Sequence, residues 1–194
     1  MMTHGVAVRT SDRADEPRAR GAPLPQALLT PIVRPRDPRA MRGGPRYAGT
    51  MANPSADPFD LQRFVAAQEP LYAQVTAELA AGAKTSHWMW FVFPQLRGLG
   101  RSGTALNFGI TGLDEARDYL QHPVLGARLR QCCSLLLGVQ GRSAPQIFGA
   151  IDTLKLRSCL TLFERAAPGE PLFAQLLVKY YGGERDVATL QLLD

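Results

Sequence analysis

Cysteine is scarce in this 194-residue chain. Cys132, Cys133 and Cys159 are all it has, and no two stand at a CxxC spacing. A zinc ribbon and a disulfide scaffold are thereby excluded, leaving three reduced thiols in apolar helical contexts and no metal-ligand set. Long apolar runs are missing too. None approaches the ~20 residues a membrane helix needs, and the one apolar N-terminal stretch, "PLPQALLTPIV", is broken by prolines where a secretory signal needs continuity. The chain therefore reads as soluble and cytoplasmic, with no membrane partner. Neither GxxxxGK[ST] nor a GxGxxG behind a clear strand is present, and there is no nucleophile elbow, so no cofactor is implied. Strand signal is thin outside residues 88–93, and no internal repeat is visible.

What is present divides unevenly. Residues 1–50 hold nine arginines, no lysine and seven prolines, against Asp12, Asp15, Glu16 and Asp37. The whole net charge of +5 sits in that stretch, because residues 51–194 hold thirteen basic and thirteen acidic side chains. An electrically balanced folded part lacks the main attraction for a phosphate backbone, so nucleic acid is not expected as its partner. The first fifty residues also lack sustained apolar periodicity and cannot bury enough surface to offset chain entropy. Residues 1–52 are read as a disordered Arg/Pro-rich tail, or as an upstream extension ahead of a natural start at Met51. Residues 53–194 are read as one helical globular domain.

Helix signals follow one another from Asp57 onward. "DPFDLQRFVAAQEPLYAQVTAELAAG" offers Asp57 as an N-cap, Pro58 at the first helical position and Gly82 as a terminator. A second helix starts near Pro70. Thr111 and Asp114 form a capping-box-like start for "TGLDEARDYLQ". Beyond His122-Pro123, Leu125, Leu129, Cys132, Cys133 and Leu136 recur at helical steps. "SAPQIFG" reads as a short helix capped by Ser143, and "DTLKLRSCLTLFERAA" as a longer one. "EPLFAQLLVKYYGG" stops at paired glycines, and "RDVATLQLL" begins behind Asp186. Seven or eight helices make an all-α, single compact multi-helical domain that can bury a real core.

Residues 84–104 break the pattern. His87 to Phe93 is apolar on both alternations, so periodicity does not separate an extended segment from a helical turn, and Pro94 stops any helix. "RGLGRSG" follows, suited either to a solvated turn or to presenting N–H groups and arginines to an anion.

Five blocks together resemble a known family: "DPFDLQRFVAAQEPLY", "KTSHWMWFVFPQLRGLGRS", "EARDYLQHPVLGARLRQC", "IFGAIDTLKLRSCLTLF" and "YYGGERDVATLQLL". They are similar, in order over about residues 57–194, to a bacterial family catalogued as domain of unknown function 1810 and sometimes labelled calpastatin. The resemblance implies a compact, mostly helical cytoplasmic domain that begins close to Met51. It implies no activity.

Polar residues embedded in apolar blocks need a reason. Lys84, Ser86 and His87 precede the aromatics, Glu115 and His122 flank "ARDYLQ", and Asp152, Lys155 and Ser158 fall loosely along one side of a helix. Two readings stand. In one, Lys84, Arg97 and Lys155 line a cationic pocket floored by Trp88 or Trp90, with Ser102, Glu115, His122 and Ser158 completing it. Such a pocket takes a small anionic, nucleotide-like ligand, with His87 and Asp152 as a catalytic acid/base pair. In the other, the domain is a helical interaction module and the same polar residues satisfy buried groups.

Overall fold

The computed structural model describes residues 57–194. The boundary between tail and domain at residues 52 and 53 lies outside the described residues. Nine helices fall among the described residues. They are α1 (Gln62–Gln68), α2 (Tyr72–Ala80), α3 (Met89–Val92), α4 (Gly103–Asn107), α5 (Leu113–Gln121), α6 (Leu125–Gly138), α7 (Ala144–Ala166), α8 (Pro171–Tyr181) and α9 (Val187–Leu193). No strand occurs among those residues beyond one isolated parallel bridge between Leu96 and Ile110. The all-α reading is therefore right.

Local chemistry explains most boundaries. Asp57 does cap, but over a turn: its carboxylate accepts from Leu61 N at 2.7 Å and Gln62 N at 3.0 Å, and α1 begins only at Gln62. Asp60, with φ of 52°, is what delays it. Ahead of α5, Thr111 pairs with Glu115 rather than Asp114: its N and Oγ1 donate to Glu115 Oε2 at 2.8 and 2.7 Å. Asp186 accepts from Thr189 N at 2.9 Å and starts α9 as the sequence suggests. Gly149 (φ 74°, ψ 172°) breaks α7 into the two helices expected there, because only glycine adopts that backbone readily. The two helices beyond the expected number are the short α3 and α4, so "MWFV" is a helical turn.

One aromatic-rich core joins these elements. Phe64 meets Tyr119 edge to face at 5.1 Å, Tyr119 lies 5.4 Å from Phe163, and Phe163 stacks on Phe173 at 5.7 Å. That series links α1, α5, α7 and α8 through fully buried rings, each pair adding roughly 0.5–1.5 kcal/mol beyond its area. Gln68, also buried, donates to Phe91 O at 2.7 Å and to the Tyr119 hydroxyl at 3.0 Å, fixing α3 against α1 and α5. Trp88 packs beside Phe93 and edge-on to Phe148, which anchors the start of α3 against the first half of α7.

Candidate functional site

The segment from Lys84 to Trp90 is placed by a residue that sequence reading passed over. Glu78, in the last turns of α2, is buried, yet its carboxylate is saturated with donors. Oε2 accepts from Thr85 N at 2.9 Å, Ser86 N at 3.3 Å and Trp88 Nε1 at 2.8 Å. Oε1 accepts from Gln74 Nε2 at 3.0 Å, Thr85 Oγ1 at 2.9 Å and Ser86 Oγ at 2.7 Å. Burial pushes the carboxyl pKa up, but donation from Ser86, Thr85 and Trp88 outweighs it and holds the group well below the usual carboxylate range. Five of the six donors come from Thr85, Ser86 and Trp88 and fix the polar strip in front of the aromatics; the sixth, Gln74, steadies Glu78 from its own helix.

The strip also reaches α7. Lys84 N donates to Ile147 O at 2.9 Å. Its ammonium pairs with Asp152 Oδ2 at 2.7 Å, donates to Ser86 O at 2.7 Å and lies 5.1 Å from the Trp88 ring. Asp152 stands just after the Gly149 break, and its other oxygen takes Lys155 Nζ at 2.7 Å. Lys155 sits 4.1 Å over the Trp90 ring. Partial burial raises the Asp152 pKa, and hydrogen bonds from Lys155 and Lys84 more than reverse that, so it is lowered. Two ammonium groups share one carboxylate. Asp186, on the same groove, caps α9 and shares Arg157 with Glu184, at 3.9 and 3.8 Å.

A groove of about 250 Å³ opens beside this cluster, lined by Trp90, Leu99, Ile151, Leu154, Lys155 and Asp186 among others. The "RGLGRSG" loop forms part of its wall. Gly100 lies so close to the indole that a Cβ there would meet Trp90 Cη2 at 3.2 Å and Ala105 Cβ at 2.6 Å. Gly100 thus lets the loop pass between Ala105 of α4, the tighter neighbour, and the Trp90 ring.

Arg97 and Glu115 lie elsewhere, in a cleft of about 650 Å³ between the α1 entrance and α4. Glu115 is 1% exposed and pairs with Arg63 Nη2 at 2.5 Å. Arg63 further donates to Asn107 O at 2.8 Å, Asp60 O at 2.8 Å and Phe59 O, and stacks over Phe64 at 4.3 Å. The pair therefore clamps α1, α4 and α5 together. Arg97 is exposed and has no side-chain partner among the described residues.

The remaining sequence candidates divide plainly. Trp88 is a core residue and lines no part of the groove. Ser102 accepts from Ala105 N at 3.1 Å and caps α4. His122 Nδ1 accepts from Val124 N and Leu125 N at 3.2 and 3.3 Å, closing the start of α6. Ser158 lines the groove but turns its hydroxyl to Leu154 O at 3.2 Å. His87 is exposed, with no hydrogen bond and no carboxylate in ion-pair range among the described residues. The expected His87–Asp152 acid/base pair is not formed, because lysines hold both Asp152 oxygens. Glu78 and Arg63 were missed because their decisive partners lie off their own helices: Thr85, Ser86 and Trp88 beyond the end of α2, and Asn107 and Glu115 on α4 and α5. The only local hint was a lone carboxylate among the alanines of "TAELAAG".

The model of a family described as protein of unknown function, DUF1810, matches residues 58–193. The chain belongs to the DUF1810 family. Among solved structures, this DUF1810 domain is similar to a crystal structure at 1.38 Å, that of the conserved hypothetical protein Rv1873 from Mycobacterium tuberculosis. The two are 58% identical, with a TM-score of 0.70, over 71% of this chain and 98% of that one. No curated protein matches the chain. Among the described residues no helix is long and apolar enough to cross a membrane, and no cluster of His, Cys, Asp or Glu could hold a metal ion.

Proposed function

We propose that this DUF1810 domain binds a small anionic ligand carrying a flat ring, of the nucleotide kind, in the Trp90–Lys155 groove. The observation that carries the reading is the Lys84–Asp152–Lys155 cluster. Two ammonium groups share one carboxylate, which leaves Lys155 only half matched by Asp152 as it stands over an aromatic face beside aliphatic walls. Lys155 is the group that would meet the anion, since Lys84 is more deeply buried and also committed to Ser86 O. Trp90 offers its ring for stacking, and Ile151 and Leu154 border the rest. The groove is small, which suits one ring and one anionic group. The proposal is of binding and includes no catalytic step, because His87 has no orienting partner.

Thermal-shift measurement on the full chain tests it with nucleoside monophosphates, sugar phosphates and aromatic carboxylates. Wild type is run beside Lys155→Met and His87→Ala. A ligand that binds only the native state must raise its midpoint. The expected result is a shift for wild type and His87→Ala that is lost in Lys155→Met. An equal shift in all three would sink the assignment. A second reading, an interaction module, rests on Ile151 and Leu154, which stay 72% and 57% exposed beside the groove. It gains if no ligand in the panel shifts any variant.

A further inference from the structure

Three arginines from separate elements meet far from one another in sequence. Arg117 comes from α5, Arg165 from the last turn of α7, and Arg185 from the α8–α9 connection. With Glu164, Leu113 and Pro168 they line one cleft of about 620 Å³. Residues 51–194 carry balanced charge, so three guanidinium groups against one lining carboxylate is a local asymmetry.

The state of each arginine matters more than the count. Arg185 is held rigidly, with Nε and Nη2 donating to the two oxygens of Glu164 at 2.6 and 2.5 Å. That fork uses two of five N–H groups; Nη1 reaches only Gly183 O at 3.5 Å. The side chain is therefore ordered before any ligand arrives and still has donors to give. Arg117 pairs with Asp114 at 2.7 Å, but the two side chains are 46% and 86% exposed. A pair so exposed is worth at most about 1 kcal/mol and yields readily to a stronger anion. Arg165 is exposed and has neither an acidic nor a hydrogen-bonding partner among the described residues.

We propose that this cleft binds the phosphoryl group of a small phosphate monoester. Arg165, the remaining donors of Arg185 and a displaced Arg117 can each donate to one of the three terminal oxygens of a phosphate monoester, whereas a carboxylate offers only two. Leu113 and Pro168 give the organic part of the ester an apolar wall. The site shares no residue with the Trp90 groove and does not rest on that reading.

Isothermal titration of the full chain with inorganic phosphate and with glycerol 3-phosphate, at fixed ionic strength, tests this. Saturable one-to-one binding with Kd near or below about 1 mM is expected. Arg165→Gln, at an exposed position that should fold normally, should weaken it by about tenfold or more, while Lys155→Met leaves it within about twofold. Binding should also tighten between about pH 5 and about pH 7.5, as phosphate takes its second charge near pH 6. The assignment is overturned if Arg165→Gln and Arg117→Gln both bind as wild type. No saturation overturns it as well, as does loss of binding in Lys155→Met instead, which would put phosphate in the Trp90 groove.

Discussion

Replacing Glu78 should unlock the whole aromatic segment while leaving its residues in place. In Glu78→Ala, Trp88 Nε1 loses its acceptor inside a fully buried ring environment that water does not reach. The N–H groups of Thr85 and Ser86 lose theirs too, but both residues are open enough to recover partners from solvent. An unsatisfied buried donor costs about 1–3 kcal/mol, and truncating the glutamate stem adds a cavity term. The expected loss is therefore about 3–5 kcal/mol. Glu78→Gln should cost less, about 1–2 kcal/mol, because the hydroxyls of Thr85 and Ser86 can turn to accept from the new amide. Urea unfolding of the full chain, followed by tryptophan emission, measures both. The pH dependence gives an independent check. Glu78 titrates below its ordinary 4.5 in the folded chain, so its contribution is complete above about pH 4.5 and fades as pH falls further. Glu78→Gln should remove that part of the acid sensitivity. A cost under 1 kcal/mol for Glu78→Ala would refute the reasoning, as would unchanged acid sensitivity in Glu78→Gln.

Three other outcomes are expected. Asp152→Ala leaves Lys84 and Lys155 facing each other without a carboxylate and should destabilise by about 1–3 kcal/mol in urea, whereas exposed His87→Ala should stay within about 0.5 kcal/mol. Gly149→Ala meets no atom within 4 Å, so any loss is purely conformational. Its φ of 74° and ψ of 172° predict about 1–3 kcal/mol, read as a lower melting midpoint. Burial raises all three thiols, Cys132 up to about 12 and Cys133 and Cys159 well above the usual range, so native protein should resist an aromatic disulfide reagent at pH 8 and react fully in urea.

Helices with a local signature were legible. Asp186, Gly82, Ser143 and the paired Gly182 and Gly183 announce boundaries through backbone geometry that depends on near neighbours alone. The two-part nature of α7 was likewise readable from its glycine. Boundaries set by distant contacts were not. Asp60 takes a positive φ where Arg63, itself held by Glu115 and Asn107, grips the carbonyls of Phe59 and Asp60. The site divided in the same way. Lys84, Asp152, Lys155 and Trp90 were singled out and do come together, because polar residues inside apolar blocks must find partners. Glu115, Ser102 and His122 find theirs elsewhere, as a clamp and two caps, whereas Arg97 and His87 are exposed and have no side-chain partner among the described residues. A polar residue in an apolar block thus foretells a partner only where the fold buries it, as with Glu115 but not His87, and topology decides which partner.

The most direct test of the groove is a titration of intrinsic fluorescence. The chain has two tryptophans, Trp88 sealed in the core and Trp90 under Lys155, so an added ring can stack only on the second. Titrating the full chain with adenosine monophosphate should change emission saturably, with Kd between about 10 µM and about 1 mM. The change should vanish in Lys155→Met and persist in Arg165→Gln. An emission change that survives in Lys155→Met, or none with a well-folded wild type at millimolar nucleotide, would contradict the account.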